Sequence, residues 1–190
     1  MTRCPKFPIN LVLLTICVSV ASCSDESPNG PSGEPASEVE ATFGDAIDLE
    51  NLPDYANHPV PRYVRKNTGG GKPVTDAGAT LGRVLFYDKA LSVNNTVSCA
   101  SCHHQEFAFS DTAKVSLGVA GETPRHSMRL VNVQYAEEVR LFWDERAADL
   151  EDQTTQPIRD HLEMGFSGAD GNPDMADLLA KLAAIGYYQE

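Results

Sequence analysis

Two cysteines and a histidine stand together near the middle of the chain, in the order Cys99-Ala100-Ser101-Cys102-His103. Thiols three positions apart can add to the two vinyl groups of one porphyrin, and a histidine directly after the second thiol can place its imidazole under the iron. The spacing therefore predicts one covalently bound haem c, attached through Cys99 and Cys102, with His103 as an iron ligand.

Two other kinds of site use closely spaced cysteines. A zinc site needs four ligands, and a thioredoxin-like dithiol expects a βαβ pattern around the motif. The chain has five cysteines, but Cys4 and Cys17 lie in the leader described below and Cys23 is predicted to be capped. With two thiols left and almost no alternating strand pattern, both alternatives are disfavoured against haem.

The sixth position on the iron decides what such a haem does. A second strong ligand makes an electron carrier, whereas an open position can receive peroxide or oxygen. Five side chains of a suitable type follow the motif: His104, His126, Met128, His161 and Met164. A lone histidine or methionine is more often structural than a ligand, so these residues alone leave the sixth ligand open.

The start of the chain has the organisation of an export signal. Arg3 and Lys6 precede an apolar run over residues 11–21, which is too short to span a bilayer. The run ends in Val20-Ala21-Ser22-Cys23, which resembles a bacterial lipoprotein cleavage site. We expect a signal peptide over residues 1–22, a lipid anchor at Cys23 and a periplasmic location. The alternative is ordinary secretion, with Cys23 as a stray thiol.

Residues 23–42 are rich in Ser, Pro, Gly and Glu and are predicted to form a disordered tether.

The net charge of the whole chain is −12, and the leader contributes two basic residues and no acidic ones, so the exported part is still more acidic. Nucleic acid is therefore excluded as a partner, because phosphate binding needs clustered Lys and Arg. An acidic surface suits a basic electron-donor protein, or simply solubility.

Residues 43–190 are predicted to form a mainly α, cytochrome c-like helical haem domain with long loops and little or no sheet. Thr75 predicts the N-cap of a helix that runs to about Tyr87. Short helices are expected over 126–136 and 146–156, the second ended by Pro157. Asn172 followed by Pro173 predicts the start of a last helix.

The region from about Thr75 to Tyr188 resembles the N-terminal domain of the bacterial di-haem cytochrome c peroxidase/MauG family. The resemblance rests on the order and spacing of several blocks beside the haem motif: 81–88 (LGRVLFYD), 91–92 (LS), 107–111 (FAFSD), 130–132 (LVN), 142–147 (FWDERA), 150–153 (LEDQ) and 163–165 (EMG).

The resemblance implies a peroxide-reacting haem and a set of roles around it. Glu163 would transfer a proton between the peroxide oxygens, and Gln153, ten residues earlier, would orient the peroxide. Trp143 matches an aromatic residue between the family's two haems, and Asn132 matches a position that helps to bind calcium between its two domains. The implied partners are hydrogen peroxide and a small c-type cytochrome or cupredoxin as electron donor.

The sequence departs from the family pattern in two places. Residues 116–124 hold no histidine where some members place a reversible distal ligand, so either the peroxide site is permanently open or His126 supplies the ligand. The second haem motif of the family is also missing, and we expect the chain to be a fragment; a genuine single-haem protein is the alternative. The competing functions are a lipid-anchored electron-transfer cytochrome and a MauG-like oxidase of an organic or protein substrate.

Overall fold

The structure, a computed structural model, describes residues 37–65, 72–136 and 140–190. This part of the chain contains four α-helices. They are α1 (Glu38–Phe43), α2 (Asp76–Tyr87), α3 (Leu150–Arg159) and α4 (Met175–Ala183). Single 3₁₀ turns and long loops connect them, and within these residues only isolated β-bridges occur. The expected mainly α class with long loops is confirmed. The described residues belong to one compact unit.

Helix α2 begins as the sequence predicts. The Thr75 hydroxyl accepts a hydrogen bond from the amide of Gly78 and so caps the helix. The helix ends at Tyr87, where the amide of Asp88 still bonds back to the carbonyls of Leu85 and Val84. The 3₁₀ turn Lys89–Leu91 follows at once and delivers Leu91 to the core.

The hydrophobic core lies between the end of α2, the end of α3 and the buried face of α4. Its fully buried members are Leu91, Ile158, Met164, Phe166 and Leu178. Met164 is 3% exposed, so the residue directly after Glu163 anchors that stretch of chain in the core. Burial of such side chains stabilises the fold by about 1.5–3 kcal/mol each.

The helix boundaries in the second half differ from the prediction. Pro157 does not end α3, which continues to Arg159, and Asp160 rather than Pro157 follows its last turn. The cap of α4 is Asp174, two residues after Asn172, because its carboxylate accepts bonds from the amides of Ala176 and Asp177. The predicted helix over 126–136 is wrong, since only a 3₁₀ turn at Val133–Tyr135 forms there.

The N-terminal part of the described chain is tied to its C-terminal part. The Glu190 carboxylate accepts hydrogen bonds from the amides of Glu38 and Val39, at the start of α1. The predicted tether, 23–42, therefore extends too far, because residues 38–42 are helical. The predicted signal peptide, Cys23 and tether residues up to 36 lie outside the described residues. No helix in the described ranges is long and apolar enough to cross a membrane.

Candidate haem-binding and catalytic site

The haem motif begins on a 3₁₀ turn, Cys99–Ser101, and Cys102 and His103 follow it directly. The amides of Cys102 and His103 both donate to the carbonyl of Cys99, at 3.2 and 3.0 Å, so the turn gathers both thiols and the imidazole. Both cysteines are free and half-buried. Burial raises the pKa of each thiol.

The His103 side chain is oriented by a main-chain carbonyl. Its Nδ1 lies 2.8 Å from the carbonyl oxygen of Phe109, to which it donates. Burial lowers the pKa of the ring, opposed by the Phe109 hydrogen bond and by the influence of the Met128 carbonyl, so the neutral imidazole is favoured. With the proton on Nδ1, Nε2 is the nitrogen left to bind a metal.

These residues fit a haem c better than the two alternatives. Two free thiols and a neutral, oriented imidazole on one turn are the donor set that a covalent haem needs. Within the described ranges, no group of three or more His, Cys, Asp or Glu is arranged to hold a metal ion, so zinc would lack its further ligands. The same ranges contain no βαβ unit for a redox dithiol.

A buried polar cluster joins Cys102 to the following loop. Ser116 is 2% exposed, and its hydroxyl lies 2.6 Å from Asp111 Oδ2 and 2.7 Å from Ser127 Oγ. Ser116 also acts to lower the pKa of the Cys102 thiol, against the larger effect of burial. Burial acts to raise the pKa of the Asp111 carboxyl, but bonds from Ser116 and nearby amides bring it below its ordinary value. No pattern in the sequence indicates this cluster, because Ser116 and Ser127 have no characteristic spacing from the haem motif.

Glu163 sits in a turn built by Asp160, directly after α3. Asp160 Oδ1 accepts hydrogen bonds from the amides of Leu162 and Glu163, at 2.8 and 3.1 Å. On the other side, the amides of Val119 and Ala120 donate to the carbonyls of Glu163 and Leu162, at 3.0 and 3.2 Å. The main chain at Glu163 is therefore held from two directions.

The Glu163 carboxyl is half-buried and acts electrostatically on Cys102. Its charge is one of the influences that raise the pKa of the Cys102 thiol, together with burial and Asp111. Burial and the neighbouring Asp160 charge raise the pKa of Glu163 itself, opposed by Arg146. A carboxyl whose pKa is raised in this way can take up and release a proton near neutral pH more readily than an ordinary glutamate.

Gln153 lies half-buried in the first half of α3, and the helix continues to Arg159 before the turn that carries Glu163. Its amide donates to the carbonyl of Asp149 within the helix, at 3.0 Å. No hydrogen bond joins the Gln153 and Glu163 side chains in the described structure. Gln153 and Glu163 thus lie on successive segments of the chain, α3 and the turn that follows it.

Trp143 is presented by a tight turn that the bridge between Leu141 and Ala147 closes. Its side chain is 61% exposed, and its indole Nε1 donates to the main-chain carbonyl of His126, at 2.9 Å. Beside it, the Asp144 carboxylate pairs with Arg125 and Arg146. These ion pairs lower the pKa of Asp144 to about 2, with Arg125 as the largest cause.

The candidates for a sixth ligand are placed differently from one another. Met164 belongs to the core. His126 has both ring nitrogens engaged, Nε2 with Ser110 Oγ at 3.0 Å and Nδ1 with the carbonyl of Ala113 at 2.8 Å. Both ring nitrogens of His126 thus have hydrogen-bond partners within the protein, and its role as a distal ligand stays a prediction.

The other three candidates for the sixth ligand differ in their exposure and contacts. His161 is exposed, Met128 is half-buried, and His104 packs edge-on against Phe107. Asn132 is exposed, with a left-handed φ of 58° at the start of the Val133–Tyr135 turn.

A cavity with a volume of about 1230 Å³ lies beside α2. It is lined by residues of α2, by the end of α1 and the segments after it, and by four residues from later in the chain: Gln105, Phe109, Leu130 and Tyr187. Cys99, Cys102 and His103 do not line it, so we do not assign it to the haem.

The model of the di-haem cytochrome c peroxidase family matches residues 76–190. Cytochrome c peroxidase Ccp of Escherichia coli (strain K12) is 32% identical over 134 residues, which cover 70% of this chain and 26% of that protein. Cytochrome c551 peroxidase of Pseudomonas aeruginosa is 33% identical over 107 residues, covering 56% and 30%. The methylamine utilization protein MauG of Paracoccus denitrificans is 36% identical over 129 residues, covering 58% and 32%.

Among solved structures, a MauG-like protein associated with microbial copper homeostasis is similar in fold. Its TM-score is 0.58 at 35% sequence identity, covering 70% of this chain and 38% of that chain. The chain thus spans about a quarter to a third of the length of the curated relatives it matches.

Proposed function

Because the chain belongs to the di-haem cytochrome c peroxidase family, we propose that it is the peroxidatic haem domain of such an enzyme. Cys99 and Cys102 would hold a haem c covalently, and His103 would bind its iron. When bound, the haem supplies an iron that accepts hydrogen peroxide and the electrons that reduce it to water.

One observation carries this proposal more than any other. Glu163 is a half-buried carboxyl with a raised pKa, held from two sides and close enough to Cys102 for its charge to act on that thiol. A carboxylate there can take a proton from one peroxide oxygen and deliver it to the other, so that water leaves. Gln153, on the neighbouring helix, would orient the peroxide by hydrogen bonding.

The loop beside Glu163 supports an open site. The segment that bonds to its main chain carries Val119 and Ala120, whose side chains cannot bind iron. An electron-transfer cytochrome would need a sixth ligand, and the burial of Met164 and the hydrogen bonds of His126 count against two of the candidates. We therefore favour the peroxidase over the electron carrier.

Electrons would reach this haem from a second haem through Trp143, whose exposed ring is free to contact another part of the protein. The donor would be a small c-type cytochrome or a cupredoxin. We further propose a periplasmic location with a lipid anchor at Cys23, and calcium near Asn132 between the two haem domains.

The haem-loaded full chain tests the proposal. We expect a high-spin ferric or five-coordinate ferrous spectrum, and one round of peroxide consumption in rapid mixing. Glu163→Gln should slow that consumption about 100-fold or more while haem attachment stays intact. Glu122→Gln, an exposed carboxyl on the adjoining loop, is the control and should behave as wild type. A low-spin spectrum with a methionine–iron charge-transfer band and no reaction with peroxide would contradict the proposal.

A second candidate is the oxidation of an organic or protein substrate, as similarity to MauG at 36% identity favours. The peroxidase and the MauG-like activity are distinguished by the reductant that restores the resting haem after peroxide has reacted. A reduced cytochrome that restores it at catalytic rates supports the peroxidase. Restoration only by an organic or protein substrate, with that substrate oxidised, supports the MauG-like activity.

A further inference from the structure

The turn that supplies the hydrogen-bond acceptor for His103 has an unusual backbone. Ala108 and Phe109 both have left-handed φ values, 59° and 57°, although neither is glycine. The turn is closed by the amides of His104 and Phe109, which bond to the carbonyls of Ser110 and His104 at 2.9 Å. Such a backbone persists only where its surroundings hold it in place.

His126 supports this turn by contacting Ser110, the residue after Phe109. Ser110 is 6% exposed, and its hydroxyl, which has one hydrogen to share, lies 3.0 Å from His126 Nε2 and 2.8 Å from the carbonyl of Ser127. The other ring nitrogen of His126 is 2.8 Å from the carbonyl of Ala113. The imidazole therefore links the residue after Phe109 to the loop that follows it.

We propose that His126 is a positioning residue for the haem ligand His103. By fixing Ser110 it fixes the adjacent Phe109 carbonyl, and with it the 2.8 Å hydrogen bond to His103 Nδ1. This inference rests on the proposed haem attachment. A strong hydrogen bond at Nδ1 makes an imidazole a more basic ligand, which strengthens its bond to ferric iron and lowers the reduction potential.

The same residue also contacts Trp143. The His126 main-chain carbonyl accepts the indole Nε1 hydrogen bond at 2.9 Å. One residue thus holds the ligand turn with its ring and the exposed tryptophan with its main chain. Because the second contact uses the main chain, side-chain substitutions at His126 remove the first contact selectively.

Two substitutions distinguish the two ring contacts. In His126→Gln the amide nitrogen can take the place of Nε2 and keep the Ser110 contact. In His126→Asn the shorter amide can reach only the position of Nδ1, so the Ala113 contact stays and the Ser110 contact is lost. The exposed His58→Ala is the control.

The measurements are the midpoint potential of the haem-loaded chain and, in the ferrous state, the iron–histidine stretch in resonance Raman spectra. We expect His126→Asn to raise the potential and move the stretch to lower frequency, with Ser110→Ala doing the same and the double variant adding nothing further. His126→Gln and His58→Ala should match wild type. Asn and Gln variants that both match wild type would overturn the proposal.

Two further outcomes are informative. If His126 were instead a distal ligand, His126→Asn would convert a low-spin ferric spectrum to high-spin, and that result would also overturn this proposal. If mass spectrometry showed that the wild-type chain never acquires covalent haem, the proposed function itself would be overturned. Covalent haem with an unmoved potential would defeat only the role of His126.

Discussion

The main-chain amide of Val119 donates a 3.0 Å hydrogen bond to the carbonyl of Glu163. This contact joins the loop after the haem motif to the turn that carries the candidate acid–base residue. Gly118, one residue earlier, allows the approach, since a Cβ there would lie 2.7 Å from the Glu163 Cα and closer still to the Leu162 carbonyl. The position of Glu163 thus depends on a residue with no functional group.

Gly118→Ala should therefore displace the Glu163 turn. We expect a loss of about 1–3 kcal/mol in the free energy of unfolding, because main-chain atoms must shift to admit the methyl group. The rate of peroxide consumption should fall at least tenfold, as small misplacements of reacting groups are costly. Thermal unfolding and rapid mixing with peroxide measure the two effects.

Gly82→Ala is the matched control, because a Cβ at this exposed position in α2 meets nothing within 4 Å. It should leave the peroxide reaction unchanged and stabilise the helix by up to about 1 kcal/mol. Equal peroxide rates in both alanine variants would show that Gly118 does not position Glu163.

The pH dependence of the peroxide reaction should report the charges around Glu163. Burial and Asp160 raise its pKa and Arg146 lowers it. Since the carboxylate is the form that accepts the proton, the rate should fall as the pH drops through this raised pKa, at a higher pH than an ordinary glutamate would give.

Two variants should shift the acidic limb of the pH–rate profile, the fall in rate at low pH, in opposite directions. Asp160→Asn keeps an oxygen for the amides of Leu162 and Glu163 but removes the charge, so the limb should move to lower pH. Arg146→Gln removes the opposing charge and should move it to higher pH. The measurement is the peroxide rate in single turnover from pH 4 to 8; limbs that move together would rule out Glu163 as their origin.

The lipid anchor is tested at Cys23. After expression in a bacterium that exports lipoproteins, the wild-type chain should fractionate with membranes, and Cys23→Ala should appear in the soluble periplasmic fraction. Haem attachment should be the same in both. Cys17→Ala, within the predicted leader, is the control and should remain membrane-bound.

The sequence predicted the parts of the site that depend on short spacings. The haem motif, the Thr75 cap and the end of α2 near Tyr87 all follow from local rules, and the structure agrees with each cap and boundary. The places of Glu163 and Gln153 came only from the family resemblance, because a single carboxylate among 27 acidic residues has no local signal.

What the sequence did not predict depends on contacts between distant segments. Pro157 lies inside α3 because the helix is held to Arg159 by the burial of Ile158, which outweighs the local penalty for proline. Ser110 and His126 are sixteen residues apart, and no periodicity links them. The misassigned helix over 126–136 reflects the same limit, since side-chain and turn contacts replace helical ones there.

A last prediction concerns Asp88, at the end of α2. One oxygen of its carboxylate accepts hydrogen bonds from the hydroxyls of both Tyr187 and Tyr188, each at 2.7 Å. Burial, followed by this contact, raises the pKa of Tyr187 to about 12 and raises that of Tyr188 as well. The contact ties the chain after α4 to α2.

Asp88→Asn keeps the size of the side chain and removes its charge. The free energy of unfolding at pH 7 should fall by about 1–3 kcal/mol, because two bonds to a charged acceptor are weakened. Ultraviolet titration should show tyrosines that ionise at lower pH than in wild type, since the carboxylate no longer opposes phenolate formation. Asp54→Asn, on the exposed segment before α2, is the control. An unchanged titration curve in Asp88→Asn would show that Asp88 does not hold these two tyrosines.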